Sequence, residues 1–272
     1  MIELNKIYNE DCLEGMKRIP DGSVDMILCD LPYGTTACNW DTIIPFEPLW
    51  EQYERVIKVN GAIVLFGSEP FSSNLRMSNI KNYKYDWVWD KRIPSGMSYA
   101  HFQPMRRVEN IMVFTKNGEK TVYNPQLELR DKPIVKGGNR YSPSAPIQAS
   151  KEGKTFKKTY THKQPTNLLQ FDKVRRGSVH PTQKPVELFE YLIKTYTNKG
   201  ETVLDNCIGS GTTAIAAINT NRNYIGFELD KHYCEIAEER IQKAIADKPE
   251  RIKALYDSKC KEDINLQGNH RN

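Results

Sequence analysis

Residues 24–33 read VDMILCDLPY, and no other stretch indicates the fold so directly. Six mostly apolar residues, Val24–Cys29, predict a buried strand, since no regular polar alternation interrupts them. The strand ends at Asp30, whose carboxylate together with a backbone carbonyl can hold an amino group. The ring of Tyr33 can stack on a flat heterocycle. The stretch therefore predicts a site at a strand end for a flat ring that carries an amine.

A second strand end lies far along the chain, at residues 202–213, which read TVLDNCIGSGTT. Its glycine-rich turn opens a predicted helix, and small residues there let the backbone approach a ligand. Glu228 ends the next predicted strand, where an acid can accept both hydroxyls of a ribose. The turn lacks the third glycine of the dinucleotide fingerprint and the GK[ST] of a phosphate-binding loop. It therefore suits a nucleotide-like cofactor.

Strand and helix patterns alternate along most of the chain. We predict strands at residues 6–9, 24–29, 62–66, 85–90, 110–115, 202–205 and 224–227, and helices at residues 12–17, 48–58, 186–197, 212–220 and 231–245. This alternation predicts an α/β fold with a mostly parallel sheet, in which the strands at 85–90 and 110–115 form an antiparallel edge hairpin. The last dozen residues are charged and polar, and we expect them to be disordered.

Residues 116–178 interrupt this pattern. Five prolines and the pair Gly137-Gly138 predict that the segment contains no long regular element. Within it, residues 116–176 hold 14 Lys or Arg and 5 Asp or Glu, a net charge of +9 in a chain whose net charge is +5. Segregated positive charge favours a polyanionic partner such as nucleic acid, although a solvated basic loop explains the same composition equally well.

The 272-residue chain is long enough for one sizeable core with an inserted segment. Its composition, 39% hydrophobic and 27% charged, is that of a globular protein, and no run is apolar enough for a membrane span or a signal peptide. The six cysteines are scattered without a CxxC pair, and the five histidines do not cluster with them. We therefore expect reduced thiols, a cytoplasmic location and no metal site.

Three motifs resemble those of amino-methylating DNA methyltransferases. DLPY at residues 30–33 resembles their DPPY motif, DNCIGSGT at residues 205–212 resembles their DPFxGSGT cofactor motif, and HPTQKP at residues 180–185 looks like the segment that precedes it. Their order, with a basic variable segment between the catalytic and cofactor motifs, matches the circularly permuted beta class. The resemblance covers nearly the whole chain except its tail. It implies a Rossmann-like methyltransferase fold, circularly permuted, with an inserted target-recognition region.

The resemblance implies S-adenosylmethionine as the cofactor. Asp205 and the glycine turn would line its methionine part, and Glu228 would hold its ribose. Lys184 and Thr182 would lie near its carboxylate, while Asp11 would reach its adenine amine and also cap the following helix. The full set of expected cofactor residues is Asp11, Cys12, Thr182, Lys184, Asp205, Cys207, Gly209, Ser210, Gly211, Thr212, Glu228 and Leu229.

Two positions depart from the family motifs. Leu31 stands where a proline is usual, which makes the loop less rigid but removes no polar group. Cys207 stands where a phenylalanine is usual, which removes an aromatic wall beside the cofactor and leaves the packing there open. We do not interpret Cys207 as a nucleophile.

The expected catalytic residues follow from the chemistry of an exocyclic amine, a poor nucleophile whose lone pair is delocalised into its ring. Asp30 and the backbone carbonyl of Pro32 would each accept one amine hydrogen, which localises the lone pair, while Tyr33 stacks on the base. The carboxylate would also stabilise the positive charge that develops on nitrogen, so no covalent intermediate is needed. A base within a duplex would have to be flipped out of its stack.

The basic insertion is the natural target-recognition region for double-stranded DNA. Lysines and arginines suit phosphates, whereas amide and aromatic side chains suit base edges. The expected DNA-binding residues are Lys154, Lys157, Lys158, Arg140 and Tyr141, with Tyr123, Asn124, Gln126 and Gln148 as further candidates for base contacts.

The leading interpretation is a site-specific DNA methyltransferase that modifies the N6 amine of adenine. Methylation of cytosine N4 is the first alternative, although cytosine enzymes of this type more often carry Ser in place of Asp30. Methylation of RNA or of a protein glutamine is a second alternative, and a non-catalytic DNA-binding module is a third. Measured transfer of a labelled methyl group to duplex DNA would separate all four.

The expected domains are a catalytic half at residues 1–115, a target-recognition insertion at 116–178, a cofactor-binding half at 179–248 and a polar tail at 249–272. The expected partner is duplex DNA and not a membrane. The resemblance is also compatible with a homodimer and with a cognate restriction endonuclease, in a bacterial or phage-encoded cytoplasmic protein.

Overall fold

The computed structural model describes residues 2–34, 41–138, 156–174 and 183–268, with the side chains of the C-terminal helix described as far as residue 249. The chain divides into two compact units. The larger comprises residues 1–124 and 167–272, and the smaller comprises Pro125–Thr166. No helix in the described ranges is both long enough and apolar enough to cross a membrane.

The strands are, in chain order, β1 Lys6–Asn9, β2 Val24–Cys29, β3 Ile57–Gly67, β4 Tyr83–Ser95, β5 Arg106–Thr115, β6 Glu128–Gly138, β7 Phe156–Lys163, β8 Leu168–Gln170, β9 Thr202–Asp205 and β10 Asn223–Glu228. The α-helices are α1 Cys12–Met16, α2 Phe46–Val56, α3 Phe71–Ser78, α4 Val186–Tyr196, α5 Thr212–Asn219 and α6 Lys231–Gly268. Most predicted elements are therefore present, and α3, β6, β7 and β8 are additions to them.

The larger unit is built on an eight-stranded sheet of order β1-β10-β9-β2-β3-β5-β4-β8. Five neighbouring strands are parallel to one another, namely β1, β10, β9, β2 and β3. In contrast, β5 is antiparallel to both β3 and β4. The mostly parallel sheet and the antiparallel hairpin are thus confirmed. The three-residue β8 adds to β4 in parallel, so the hairpin is not the outermost element.

Helices cover both faces of the sheet, which explains why its central strands are apolar without alternation. On one face, Met26 and Val64 lie in a core shared with α4 and α5. On the other face, Ile27 and Leu65 lie in a core shared with α1, α2 and α3. Every residue of β2 is buried between these two layers. The apolar run before Asp30 is therefore held rigidly in the middle of the sheet.

The boundary between α2 and β3 differs from the prediction. We expected the helix to continue to residue 58 and to stop at Asn60-Gly61. Instead α2 ends at Val56 and β3 begins at the next residue. Asn60 and Gly61 lie in a bulge, because Val24 pairs with Ile57 while Met26 pairs with Ala62. Glycine and asparagine therefore mark an irregular strand here and not a helix end.

The prediction that residues 116–178 contain no long regular element is wrong. Strands β6 and β7 pair antiparallel and form a two-stranded sheet within the smaller unit. Pro133 lies inside β6, between Leu129 and Ile134, where the register shifts. Proline is tolerated there because a bulge leaves its missing N–H without a ladder partner. Proline therefore marked the place where the strand is irregular, but it did not mean that the whole segment lacks regular structure.

The C-terminal helix is longer than expected. We predicted a helix from residue 231 towards 245, followed by a polar tail with a disordered end. In the structure α6 runs to Gly268, with Pro249 inside it. The expected disorder is therefore wrong for residues 261–268, while residues 269–272 lie outside the described part. The charged sequence is compatible with a solvated helix, since such residues are good helix formers.

Candidate active site

Both strand ends that the sequence singled out lie at one edge of the sheet. In the parallel register Ile27 of β2 pairs with Leu204 of β9, and Asp205 of β9 pairs with Gly226 of β10. The acids that end these strands, Asp30, Asp205 and Glu228, therefore all lie at the carboxyl edge. Open α/β sheets bind their ligands at this edge. Pairing between strands that are distant in sequence thus brings the predicted amine site and the predicted cofactor site to the same edge.

Two side chains hold the carboxylate of Asp30. The hydroxyl of Tyr33 donates to Oδ1 at 2.6 Å, and Nζ of Lys184 donates to Oδ2 at 2.5 Å. The side chain of Asp30 keeps 19% of its exposure, while that of Lys184 keeps 8%. Lys184, which the resemblance assigned to the cofactor carboxylate, therefore contacts the predicted catalytic acid directly.

A second acid and a second lysine complete this cluster. Glu109 of β5 lies 3.5 Å from Nζ of Lys184, and Lys91 of β4 lies 3.0 Å from Glu109. Sequence reasoning did not assign Glu109 to the site. Asp30, Glu109, Lys91 and Lys184 together form the acid–lysine cluster, in which two negative and two positive groups alternate.

The electrostatics of the acid–lysine cluster follow from burial and pairing. Burial raises the pKa of Asp30, and the charge of Lys184 opposes that rise. Burial acts to lower the pKa of Lys184, but the carboxylates of Asp30 and Glu109 raise it overall. Burial acts to raise the pKa of Glu109, but Lys184 and Lys91 lower it overall. Lys184 therefore stays charged, and Asp30 is a desolvated acceptor beside it.

The ring of Tyr33 is held on the protein side. It stacks on Phe71 of α3, with the ring centroids 4.9 Å apart and an angle of 29° between the planes. Leu31, next in the motif to Asp30, is 4% exposed and packs in the core. This supports the view that its side chain supplies shape at the position where a proline is usual. Phe71 is a further site residue that the sequence did not reveal.

Glu228 organises the glycine turn. Its Oε2 accepts from the N–H of Gly209 at 2.9 Å, and its Oε1 accepts from the N–H of Asp230 at 2.8 Å. Burial raises the pKa of Glu228. A carboxylate has about four lone-pair sites, so two remain for the hydroxyls of a ribose. The acceptor chemistry of this side chain therefore fits the expected cofactor.

Both glycines of the turn have left-handed backbone conformations, with φ of 51° at Gly209 and 82° at Gly211. At Gly211 an added Cβ would lie 3.0 Å from Cβ of Ala237 in α6. Ser210, between them, accepts from Arg240 of the same helix through its Oγ at 2.8 Å. The turn is thus fixed against α6, and its glycines carry no side chain that would keep a ligand from the backbone.

Asp205 accepts hydrogen bonds from two residues that follow it, one on each side of the glycine turn. Its Oδ1 accepts from the N–H of Cys207 at 3.0 Å, and its Oδ2 accepts from the hydroxyl of Thr213. Burial raises the pKa of Asp205 to about 7. Thr212, the first residue of α5, is also buried. These contacts order the loop that the resemblance assigned to the methionine part of the cofactor.

The raised pKa of Asp205 predicts a pH-dependent stability. An acid with a raised folded-state pKa stabilises the fold fully below its unfolded pKa, and this contribution is lost as the pH rises through about 7. We expect the free energy of unfolding of Asp205→Asn, relative to the wild type, to increase between about pH 5 and pH 8. Urea denaturation at several pH values measures it, and a constant difference across that range would contradict the prediction.

Cys207 packs in a cluster of polar and thiol groups. The amide of Asn206 donates to the sulfurs of Cys12 and Cys207, each at 3.5 Å, and accepts from the hydroxyl of Tyr53 at 2.5 Å. Hydrogen bonds with Cys12 and Cys29 raise the pKa of Cys207 well above its ordinary value. Burial raises the pKa of Cys29 to about 12. A thiol needs a lowered pKa to act as a nucleophile, so neither fits that role.

Asp11 has the capping role that was predicted for it. Its Oδ1 accepts from the N–H groups of Leu13 and Glu14 at 2.8 and 3.2 Å, at the start of α1. Leu229 follows β10 and is 69% exposed beside Glu228. Their contacts with a cofactor remain predictions.

Lys157 and Lys158 are exposed on β7 of the smaller unit, and Nζ of Lys158 lies 5.4 Å from the ring centroid of Tyr160. Asn124, a candidate for base contacts, instead donates its amide to the carbonyl oxygens of Lys194 and Thr197. Its side chain therefore serves the fold. The predicted residues that lie outside the described part are Thr182, Arg140, Tyr141, Gln148 and Lys154.

Comparison with known protein families identifies the family of this chain. Residues 24–239 match a family model described as DNA methylase. The chain belongs to the DNA methylase family. Among curated relatives of this DNA methylase, the DNA adenine methyltransferase YhdJ of Escherichia coli (strain K12) is 30% identical over 261 residues, covering 89% of the chain and 84% of YhdJ. The type II methyltransferase M.HpaI of Haemophilus parainfluenzae is 27% identical over 261 residues, covering 87% and 74%.

Solved structures agree with this assignment. The M1.HpyAVI–SAM complex has a TM-score of 0.58 and 26% identity to the DNA methylase, covering 86% of this chain and 98% of that one. The cytosine-N4-specific PvuII DNA methyltransferase has a TM-score of 0.59 at 16% identity, covering 89% and 91%. The predicted Rossmann-like α/β methyltransferase fold is therefore confirmed. Because the fold also occurs in a cytosine-N4 enzyme, the fold alone does not choose the base.

Proposed function

We propose that this DNA methylase transfers a methyl group from S-adenosylmethionine to the N6 amine of an adenine in duplex DNA. The observation that carries the proposal is the position of Asp30, a half-buried carboxylate at the carboxyl edge that the glycine turn of the cofactor motif also occupies. Family membership and the adenine methyltransferase relative YhdJ support it. S-adenosylmethionine, when bound, supplies an electrophilic methyl group on a sulfonium.

Asp30 and the backbone carbonyl of Pro32 act on the amine. Each accepts one of its hydrogens, so the nitrogen lone pair leaves conjugation with the ring and points away from both acceptors. The negative charge of Asp30 offsets the positive charge that grows on the nitrogen as the methyl group is transferred from the sulfonium, until the nitrogen releases one of its two hydrogens to solvent as a proton. Because the side chain of Asp30 keeps only 19% of its exposure, water screens this interaction less than it would at a fully exposed site.

Lys184 and Tyr33 hold Asp30 in place. Each uses one lone pair of the carboxylate, and about two others stay available for the amine. Lys184 need not leave Asp30 for the amine to bind. Its second contact, with Glu109, fixes the ammonium and so fixes the orientation of Asp30. This arrangement preorganises the acceptor before the base arrives.

The cofactor would bind along the glycine turn. Glu228 would accept the ribose hydroxyls through its remaining lone pairs, and the backbone of Gly209 and Gly211 would line the methionine part. Asp11, at the end of β1, would reach the adenine amine while it caps α1. The order of the motifs along the chain favours the circularly permuted beta class.

Cytosine N4 is the second candidate target. The same amine chemistry applies to it, and the fold is shared with the cytosine-N4-specific PvuII enzyme. The aspartate at position 30 favours adenine, as does the relative YhdJ.

Transfer of a labelled methyl group from S-adenosylmethionine to unmethylated duplex DNA tests the proposal. We expect labelled N6-methyladenine after hydrolysis of the DNA to nucleosides. Labelled N4-methylcytosine would support the second candidate, and label in neither base would reject both. Single-molecule sequencing of DNA from cells that express the protein would give the recognition sequence.

We further propose that the segment at 116–178 recognises the DNA target. The smaller unit, Pro125–Thr166, lies within this segment and carries much of its positive charge. A cognate restriction endonuclease is a further proposal, supported by the type II methyltransferases among the relatives. A homodimer is also proposed, on the resemblance alone. Since DNA is the substrate, we expect the protein to act in the cytoplasm of a bacterial cell.

Replacing Lys157 and Lys158 with glutamine should weaken binding to all duplex sequences about equally. These exposed charges would act on phosphates by releasing counterions, so the slope of log affinity against log salt should flatten by up to about one unit for each phosphate that is no longer neutralised. Fluorescence anisotropy at several salt concentrations measures the slope. Lys81→Gln with Lys199→Gln is the matched control, because both lysines are exposed in loops that precede strands, away from the carboxyl edge. A changed recognition sequence with an unchanged slope would instead assign the β7 lysines to base contacts.

A further inference from the structure

The hairpin formed by β4 and β5 extends past the edge of the sheet at which Asp30 lies. Gly67, the last residue of β3, pairs with Asn110 of β5, so residues 106–109 continue beyond the end of β3. Ser95 of β4 pairs with Arg106, which keeps the two strands together to that point.

The tip of this hairpin, residues 96–105, is close to the acid–lysine cluster. Glu109 belongs to the cluster, and Arg106 lies three residues further out along the same strand. Three residues of extended strand span roughly 10 Å. The base of the hairpin tip therefore lies roughly 10 Å from Glu109, beyond the same edge of the sheet at which Asp30 lies.

The hairpin tip exposes three large apolar side chains. Phe102 is 87% exposed, Met97 is 72% exposed and Tyr99 is 54% exposed. Turns order the tip, since the N–H of Tyr99 donates to the carbonyl of Gly96 at 3.0 Å and that of Phe102 donates to the carbonyl of Tyr99 at 2.9 Å. Exposed apolar groups on an ordered turn indicate a surface that a partner covers.

The segment that carries the hairpin tip, residues 91–108, is basic. Residues 91–108 contain no acidic residue, and Arg92, Arg106 and Arg107 all reach solvent. The side chains of Arg92 and Arg107 each keep 53% of their exposure, although Arg107 pairs with Asp90 at 2.6 Å and Arg92 lies 3.7 Å from Asp172. A cationic rim around an apolar tip matches nucleic acid, which offers phosphates outside and stacked bases inside.

We propose that the hairpin tip is a wedge that enters the DNA base stack beside the target. Phe102, flanked by Met97 and Tyr99, would fill the space that the extruded base leaves, while the arginines contact the phosphates. Apolar side chains inserted between base steps unstack the duplex at the point of insertion. The inference rests on the proposed methylation of a base in duplex DNA, which requires that base to leave its stack.

Two duplexes test the wedge. Both contain the mapped site, but in one the target adenine lies opposite thymine and in the other it lies opposite an abasic residue. Phe102→Ala should lower the single-turnover methylation rate at least about tenfold on the paired duplex and less than about threefold on the abasic duplex, which has no pair to break. Met77→Ala, which removes a 68% exposed side chain on α3, is the matched control and should change neither rate.

Fluorescence of 2-aminopurine at the target position reports extrusion of the base without any methyl transfer. Phe102→Ala should reduce the rise in fluorescence that follows binding of the protein to the DNA. The wedge is therefore tested even if the wild type methylates neither duplex, and that result would reject the proposed function alone. Equal rate losses on both duplexes, or no loss on the paired one, would overturn the wedge. If light scattering showed that Phe102→Ala has a different molecular mass in solution from the wild type, the wedge would also be overturned, because the hairpin tip would then be a contact between two copies of the chain.

Discussion

Asp30→Ala is expected to lower the rate of methyl transfer at least about a hundredfold, a loss of about 2.7 kcal/mol in transition-state stabilisation. The substitution removes one acceptor of the amine and the negative charge that offsets the growing positive charge on nitrogen. Steady-state transfer of labelled methyl groups to duplex DNA measures the loss. Affinity for S-adenosylmethionine should persist, because Asp30 is expected to face the base.

The structure adds a second consequence of this substitution. Without Asp30, the buried Lys184 keeps only Glu109 as an acidic partner among the described residues. Breaking one side of a buried pair destabilises a fold, so Asp30→Ala should also lower the free energy of unfolding. Asp30→Asn keeps an acceptor oxygen without the charge, so it separates the loss of the acceptor from the loss of the charge. Near-normal turnover of Asp30→Ala in folded protein would mean that the proposed amine contacts are wrong.

Gly209→Val should reduce binding of S-adenosylmethionine below detection by calorimetry. Gly209 has a φ of 51°, and its N–H is held by Glu228, the residue expected to bind the ribose. A branched side chain at that φ is strained and fills the space where the backbone must meet the ligand. The loss should be larger than any change in DNA binding, since the lysines of β7 are in the other unit.

Gly22→Val is the matched control for Gly209→Val. Gly22 has a φ of 57°, and an added Cβ there meets no atom within 4 Å. It precedes β2 and so lies at the amino end of the strand, opposite the proposed cofactor site. Both variants should lose stability through backbone strain, and Gly209→Val alone should lose cofactor affinity. Unchanged affinity in Gly209→Val would place the cofactor elsewhere.

The failures of prediction have physical reasons that are specific to each place. The prolines at 116–178 suggested irregular structure, yet Pro133 is accommodated at a register shift within β6. Asn60-Gly61 suggested a helix end, yet the pair forms a bulge within β3. In both places a local signal marked an irregularity correctly, while pairing with a distant strand determined the element around it.

Consecutive residues were enough to predict the sheet and its binding edge. Val24–Cys29 is apolar because helices cover both faces, and the strand stops where Asp30 and Pro32 follow it. The glycine turn is equally local, since it needs backbone angles that glycine adopts without strain. Signals of this kind reside in a few neighbouring positions, so one sequence suffices to interpret them.

The groups that surround the reacting acid became visible only in the folded chain. Lys184 reaches Asp30 across 154 positions of the chain, and Glu109 reaches the same lysine from a third segment. Burial shifts the pKa values of these groups, and burial is a property of packed layers and not of a sequence window. The exposure of Phe102 was likewise hidden, because an apolar residue in a sequence gives no sign of whether a neighbour covers it.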